Sequence, residues 1–447
     1  MKKINLLILG CGMYVCGRGT NTDGTIIPSL ISESILPKIN SCLILGNSKS
    51  GLIKTQKKIK EIQKDNRNKL KINYSNLSKL TNILKSKKFD CAIICVPDHL
   101  HYKYIKIILN HNIHVITVKP FVTQSSQAQE LIELAKKKKL ISQVDFHKRL
   151  DEANLYLKTL INKKHFGDLI YSTIEYSQPK EIPLKLFNKW SKETNIFQYL
   201  GVHYVDLIYF LTGFQPISVF ATGIKNYLIK KNRDIFDSVH AIIDWKSDKN
   251  KIFKTIFNIN WIDPKNSNAF SDQRITLYGT KSKFKSDQTN RGISVYSDNN
   301  YENPNPYFSG KYDSNNKAFY KGYGINIYKN FINDVFSYTN KKKLFMQNRP
   351  TFESSLTSVK VTEAVNKSLL SGKKEVVENL SYLKSQNKVL ISKKKLNKNS
   401  LVNKNNFNEV SDFNGISFYE VKKIKIKKII KSMEANEKLN YSHFFKL

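Results

Sequence analysis

Carboxylates are scarce in this sequence: 36 Asp and Glu stand against 74 Lys and Arg, a formal net charge of +38 with a pI near 9.8. Cysteine is scarce as well. The five (Cys11, Cys16, Cys42, Cys91 and Cys95) all lie in the first quarter, and their odd number excludes a disulfide framework. Cys91 and Cys95 share one apolar run, so they offer no metal-ligand set, and no metal is expected. Reduced thiols in the cytoplasm are the expectation. No run approaches the roughly 18 uninterrupted apolar residues of a membrane-spanning helix. With 18 Gly, 11 Pro and 40% hydrophobic residues, collagen-like and wholly disordered chains are excluded. At roughly 100–200 residues per domain, the length allows two or three domains.

The positive excess raises nucleic acid, an acidic membrane surface or a phosphorylated ligand as partners. It is mostly Lys, which travels with Asn and Ile along the whole chain, so compositional drift is the simpler cause. Only the last segment gathers basic residues. Lys2-Lys3, an apolar run and Leu9-Gly10-Cys11 imitate a lipoprotein signal. The run Ile4 to Leu9 is shorter than the roughly 7–15 residues of a signal core, and it leads into a glycine turn with a better explanation.

Apolar runs at 3–9, 42–45, 91–96, 113–117 and 141–146 read as buried strands. Between them lie helix-like stretches around 51–64, 76–87, 101–110 and 125–138, and another helix should begin near Ile26. That alternation indicates a parallel sheet covered on both faces, a Rossmann-type domain over 1–148. Beyond it the text changes. Helix-like segments at 151–163, 197–212, 325–338 and 355–371 accompany strand-like runs at 169–177, 217–223, 235–245, 252–261, 274–278 and 292–296. This suits an α+β domain over 149–378 with a large, mostly antiparallel open sheet. Residues 379–447 read as a Lys- and Asn-rich, largely flexible extension, with a basic stretch near 419–433 as its one helix candidate.

A strand ending in Gly10-Cys11-Gly12 invites a dinucleotide, because glycine lets the backbone approach a pyrophosphate. Gly10, Gly12 and Met13 are the cofactor candidates here. The third glycine position of the fingerprint holds Val15, and Gly17, Gly19 and Gly24 imply a longer loop, in which Arg18 suits a phosphate. The second strand ends Leu45-Gly46-Asn47-Ser48-Lys49, without the carboxylate that would bind a ribose 2′-hydroxyl. Ser48 and Lys49 suit a 2′-phosphate, which points to NADP ahead of NAD. Val96-Pro97-Asp98-His99-Leu100-His101 and Val118-Lys119-Pro120 follow two strands at the ends where α/β folds place ligands. On the helix near 197–212, Tyr199, His203 and Asp206 share one side.

Together with the segment Phe146–Arg149, these elements resemble the Gfo/Idh/MocA family of NAD(P)-dependent oxidoreductases over about residues 1–378. The resemblance implies hydride transfer at a carbinol carbon of a sugar, nucleotide sugar or cyclic polyol, and a homo-oligomer. It implies that Lys119 binds the substrate hydroxyl and that His203 exchanges its proton. Asp206 would orient the helix or the substrate, and Pro97 and His101 would border the nicotinamide. Two positions depart from the family pattern. Val118 stands where the family has Glu, and Tyr199 stands where it has Asp, so Tyr199 shares the acid role or stacks on a sugar. These departures keep open a non-catalytic, cofactor-binding scaffold. Arg149, Tyr176, Gln178 and Trp190 are further substrate candidates, with His147, Lys148, Lys180, Asn195 and Gln198 beside them. Lys343 and Lys393–Lys395 read as solvated runs.

Overall fold

The computed structural model describes residues 1–64, 69–188, 190–265, 271–298, 300–314, 317–342, 344, 348–377, 388–392 and 407–411. The chain forms two compact units, Met1–Val377 and Glu378–Leu447.

The first sheet is built by β1 (Ile4–Leu9), β2 (Ile39–Gly46), β3 (Ile72–Asn76), β4 (Cys91–Ile94), β5 (His114–Val118) and β6 (Ser142–Asp145). All pair in parallel, in the order β3-β2-β1-β4-β5-β6. The reversal between β1 and β4 opens a crevice at the carboxyl ends of the strands, where ligands bind in this class of fold. The crossovers carry α1 (Met13–Cys16), α2 (Ile26–Leu30), α3 (Lys49–Ile62), α4 (Leu80–Ser86), α5 (His101–Asn110) and α6 (Ser125–Lys137). The strands read as continuous apolar runs because both faces are covered. Ile4, Leu6 and Ile8 point into one core, while Leu7 and Leu9 point into another.

The strand β3 was not legible as one. Its text, Ile-Asn-Tyr-Ser-Asn, is polar because it lies at the sheet's edge with half-exposed side chains. The helix expected near Ile26 is α2, a single short turn of five residues.

After α7 (Glu152–Asn162) comes β7 (Leu169–Pro179), then a π-helical turn, Phe197–Gly201, that runs into α8 (Val202–Thr212). Next follow β8 (Gln215–Ile224), β9 (Ser238–Lys246), β10 (Ile252–Asp263), β11 (Asp272–Gly279) and β12 (Lys283–Asp287). The second sheet runs β12-β11-β7-β10-β9-β8 and is antiparallel except for β10 beside β7. Its edge strand is β12 rather than the run expected at 292–296. The alternation Lys-Phe-Lys-Ser-Asp hides β12, since an edge strand exposes its polar side chains. Val295–Ser297 (β13) pairs instead with Asn300–Glu302 (β14) in a hairpin outside the sheet.

The chain then forms α9 (Pro306–Ser309) and a second hairpin, β15 (Gly310–Ser314) and β16 (Lys317–Lys321), before returning to the first sheet. There α10 (Tyr323–Thr339) lays Ile325, Tyr328, Phe331, Ile332 and Val335 onto the face that carries Ile4, Leu6 and Ile8. Finally α11 (Phe352–Ser371) joins the two halves. Phe352, Leu356 and Val359 pack in the other core of the first sheet, and Val361, Ala364 and Val365 in that of the second. A short strand, β17 (Glu375–Val376), then pairs with β8 at the other edge of the second sheet.

In the C-terminal unit, β18 (Lys388–Ser392) and β19 (Phe407–Ser411) pair antiparallel. Those residues form strands where a flexible extension was expected. The basic stretch near 419–433, Lys343 and Lys393–Lys395 lie outside the described residues. Among the described residues, no helix is long and apolar enough to cross a membrane.

Burial of α10 makes a direct prediction. Phe331→Ala, at a position with no solvent exposure, should lower unfolding stability by roughly 3–5 kcal/mol in urea titration. Ile53→Ala, at a residue 57% exposed on α3, should change it by less than about 0.5 kcal/mol.

Candidate active site

The glycine turn lies where β1 meets α1. Gly10 has φ +114°, and a Cβ there would fall 1.9 Å from the Cys95 carbonyl oxygen, so only glycine fits between the ends of β1 and β4. Gly12 is different: among the described residues, a Cβ there would meet no atom within 4 Å. That open space is what a pyrophosphate needs. Met13 packs against the core of the second sheet, and Val15, in the place of the third glycine, is fully buried in the core of the first. Arg18 leaves the loop towards the end of β2. Its Nη1 is 3.5 Å from Cys11 Sγ and would lie 2.6 Å from a Cβ on Gly51, beside the Ser48 hydroxyl. Ser48 Oγ accepts from the Gly51 N–H at 3.1 Å and caps α3, while Lys49 is exposed. Arg18, Ser48 and Lys49 therefore meet at one strand end, with no carboxylate among residues 45–49.

The loop after β4 is tied down by its own side chains. Pro97 precedes a 3-10 turn, Asp98–Leu100. Buried Asp98 accepts from the Thr194 hydroxyl at 2.8 Å and from Gln198 Nε2 at 3.1 Å. Beside it, Asn195 donates to Asn366 and accepts from the Gln198 N–H. His101 is fully buried, with one ring nitrogen 2.7 Å from the Pro120 carbonyl oxygen and the other 2.9 Å from that of Val96. It pins the β4 and β5 loops together through both ring nitrogens.

Lys119 directly follows β5, just before a cis peptide to Pro120. Its amine lies 3.5 Å from the centre of the Tyr199 ring and donates to the Tyr199 carbonyl oxygen. Burial pushes the amine down to about 8, against the pull of Asp98 and Asp145. Tyr199 thus uses its π face to hold an ammonium. Its own hydroxyl is pushed well above the usual phenol range by burial, then by Tyr176, Asp98 and Cys95. A phenol held so firmly in its protonated form is a poor acid.

His203, on the first turn of α8, is only 3% exposed, and its Nδ1 has no hydrogen-bond partner among the described residues. Its ring packs against His147 at 4.9 Å between centroids, Phe146 at 6.3 Å and Tyr176 at 6.4 Å. Burial holds its protonation well below the usual imidazole range, helped by positive charge on Lys119, His147 and Lys148. The imidazole at 203 lies within electrostatic reach of the amine at 119, 84 residues earlier in sequence.

Two of the substrate candidates bind each other instead. Arg149 makes a two-pronged ion pair with Asp206, Nε to Oδ2 at 2.8 Å and Nη2 to Oδ1 at 2.5 Å, with both side chains out of water. The pair ties α8 to the turn after β6, and each charge is taken up by the other. Gln178 is likewise occupied, by Trp261 Nε1 at 3.3 Å and the Ser271 hydroxyl at 2.9 Å. Tyr176 remains at the site, facing His203 and Lys148. Trp190 packs on Phe187 at 4.5 Å and Tyr199 at 6.1 Å, on the Lys119 side. Lys180 lies over the ring of Tyr227 instead, at 5.2 Å.

The candidates His147 and Lys148 are joined by residues that sequence did not single out, Asp145, Asp151, Gln273, Gln288 and Arg291. Buried Lys148 donates to Gln273 and Gln288, and its amine lies 4.8 Å from the centre of the Tyr204 ring. Gln288 and Arg291 both reach Asp151, from a loop that sequence reasoning left unassigned. Asp145, at the end of β6, accepts from His147 Nδ1 at 2.9 Å and from the Tyr328 hydroxyl at 2.8 Å. The 303–323 segment also reaches over the site: Phe308 and Tyr323 flank His147 at 4.9 and 5.7 Å, while Ser309 and Tyr320 bond to Gly24 and Asp23 of the glycine loop. A hollow of about 630 Å³ lined by Phe89, Asp90, His114 and Tyr338 lies at the opposite, amino-terminal ends of the strands. His114 there is buried, as its strand text implies, and burial pushes it down to about 4.

Residues 50–146 match the model of an oxidoreductase family with an NAD-binding Rossmann fold, and residues 154–285 match that of the GFO/IDH/MocA C-terminal domain. An inositol 2-dehydrogenase of Rhizobium meliloti is 24% identical over 195 residues, 43% of this chain and 55% of the relative. A UDP-N-acetylglucosamine 3-dehydrogenase of Acidithiobacillus ferrooxidans is 27% identical over 135 residues, 30% of this chain and 40% of the relative. The chain spans about half the length, or less, of the curated relatives it matches. The fold is like that of a scyllo-inositol dehydrogenase of Lactobacillus casei with bound NAD(H) and scyllo-inositol. The TM-score is 0.62 and the identity 16%, over 84% of this chain and 99% of that one.

Burial pushes the Lys148 amine from 10.5 down to about 7, against the pull of Asp151 and with the help of Arg291 and Lys119. Between about pH 7 and 10.5 the unfolded chain therefore holds a proton that the folded chain does not, so folding stability rises with pH through that window. Below about pH 7 both states carry the proton and the burial penalty is complete. Urea midpoints of the wild type should rise relative to Lys148→Met between about pH 6.5 and 9.5. Parallel curves would show that the amine stays charged.

Proposed function

Because the chain belongs to the Gfo/Idh/MocA family of oxidoreductases, we propose that it transfers hydride between a nicotinamide dinucleotide and a carbinol carbon of a sugar, nucleotide sugar or cyclic polyol. Three features support this reading: Gly12 after β1 and Lys119 after β5 both follow carboxyl ends of the parallel sheet, and His203 on α8 feels the charge of Lys119. Gly10, Gly12 and Met13 would hold the pyrophosphate, and Pro97 would border the nicotinamide. The dinucleotide, when bound, supplies the hydride acceptor or donor. Lys119 binds the substrate oxygen and stabilises the negative charge that develops on it. His203, kept neutral, hydrogen-bonds the same hydroxyl. Tyr199 acts by fixing the amine of Lys119, and Tyr176 offers a flat face to a ring substrate. The named activities of the relatives favour a polyol or a nucleotide sugar.

NADP is favoured over NAD. The end of β2 has no carboxylate to bind a 2′-hydroxyl, and the Arg18 guanidinium beside Ser48 and Lys49 suits a 2′-phosphate. Self-association is expected through the uncovered face of the second sheet, where Phe220, Ile242 and Ile256 form a cross-strand row and the first two are 40% and 42% exposed. Five unpaired cysteines suit the cytoplasm. A cofactor-binding scaffold without turnover is the second reading. It rests on Val118 and Tyr199, which remove two carboxylates from the site.

Fluorescence titration with NADPH and NADH tests the cofactor directly. NADPH should bind more tightly, and Arg18→Ala should weaken NADPH by roughly 10- to 100-fold while leaving NADH within about threefold. Failure of both nucleotides to bind below millimolar concentration removes the reading. In a panel of polyols and nucleotide sugars, Lys119→Ala should reduce kcat by about 10²- to 10³-fold with dinucleotide binding intact. Binding without any turnover by the wild type would favour the scaffold.

A further inference from the structure

Two imidazoles stand side by side at the site, and they differ in what holds them. The His203 ring has a buried Nδ1 with no hydrogen-bond partner among the described residues, so no described group at that nitrogen fixes its tautomer or stabilises a positive charge on it. The position four residues earlier holds Tyr199, whose ring is committed to Lys119. The lysines at 119 and 148 further oppose a charge on His203. His203 can accept a hydrogen bond there, but it is a poor place to leave a proton.

His147 has what His203 lacks. Its Nδ1 lies 2.9 Å from Oδ1 of Asp145, a carboxylate only 1% exposed. The other oxygen, Oδ2, accepts from the Tyr328 hydroxyl at 2.8 Å, which locks the carboxylate in place. Burial alone would favour the acid form, but the charge of His147 and hydrogen bonds from His147, Tyr14 and Tyr328 hold Asp145 below the usual carboxylate range. With Nδ1–H given to an anion, the lone pair of the neutral ring is on Nε2. Among the described residues, Nε2 bonds to no protein group. The ring is flanked by His203, Phe308 and Tyr323, and its side chain keeps some exposure. The titratable groups facing it are Asp145 from β6, Tyr14 from the glycine loop, His203 from α8, and Tyr323 and Tyr328 from α10. Lys119 and Lys148 lie beyond His203.

We infer that His147, oriented by Asp145, is the residue that exchanges the proton of the substrate hydroxyl, and that His203 only positions that hydroxyl. This rests on the oxidoreductase reading. In the oxidative direction the O–H bond breaks, its electron pair becomes the second C–O bond, and its proton passes to Nε2 of His147. The carbon's hydride leaves to the oxidised dinucleotide. Release of the proton to water restores the neutral ring. Asp145 is a positioning residue that stabilises the imidazolium formed in between.

The test uses the full chain and three variants. His147→Gln should lower kcat by about 10²- to 10⁴-fold and abolish the basic-group limb in the pH profile of kcat/KM, with the NADPH Kd unchanged within about threefold. His203→Gln should keep that limb and act mainly on KM. Asp145→Asn should lower kcat with little change in KM. Imidazole ¹⁵N spectra of the unligated protein, assigned with His147→Gln, give a readout independent of turnover. The neutral ring of residue 147 should carry its proton on Nδ1, and Asp145→Asn should release that preference. A ring protonated on Nε2 overturns the assignment. So does a pH limb lost in His203→Gln and retained in His147→Gln. If wild-type protein binds no dinucleotide, the oxidoreductase reading fails and the inference fails with it. If it binds and turns over while His147→Gln stays within threefold, only the assignment to His147 fails.

Discussion

The geometry of the cleft depends on one buried ion pair, Arg149 with Asp206. Charges this far from water are tolerated only when each is matched, and breaking such a pair leaves an uncompensated charge in the interior. The planar guanidinium meets the carboxylate at two points, which fixes orientation as well as distance. Through it α8 is locked to the turn that follows β6. His203 is carried on the first turn of that helix and His147 on that turn, so the pair sets how the two imidazoles face each other.

The second constraint is the shortage of carboxylates where the family pattern expects them. Tyr199 replaces one with an aromatic face, and Val118 removes another. The site compensates from elsewhere in the chain. Asp98 reaches in from the β4 loop, Asp145 from the end of β6 and Asp151 from the start of α7, each bound to polar partners. Anionic support for the buried lysines and histidines thus comes from a different set of positions.

The parallel sheet was legible because its central strands are buried on both faces and read as unbroken apolar text, as at Leu6–Leu9 and Cys91–Ile94. Lys119 and His203 were legible because each sits in a recognisable local pattern at an element's end. Edge strands β3 and β12 were not, because exposure gives them polar sequences like those of loops. Pairings over long separations left no trace either. Nothing near Arg149 announces Asp206, nothing near Gln178 announces Trp261, and the role of His101 as a clasp depends on where the Val96 and Pro120 carbonyls fall in space. Asp145 and His147 were in plain view at the end of a strand, but their pairing is visible only once Tyr328 arrives from α10.

The late return of α10 has a consequence for biosynthesis. The apolar face formed by Ile4, Leu6, Ile8, Ile44 and Ile93 is covered in part by residues Ile26 to Ile35 and by Ile59 and Ile62, and the rest of its cover comes from Ile325 to Phe336. A ribosome moving at roughly 5–20 residues per second finishes β6 some 10–40 s before it delivers that helix. During this interval part of the nascent sheet's greasy side still faces water, a patch the growing chain must keep from sticking to others before α10 arrives.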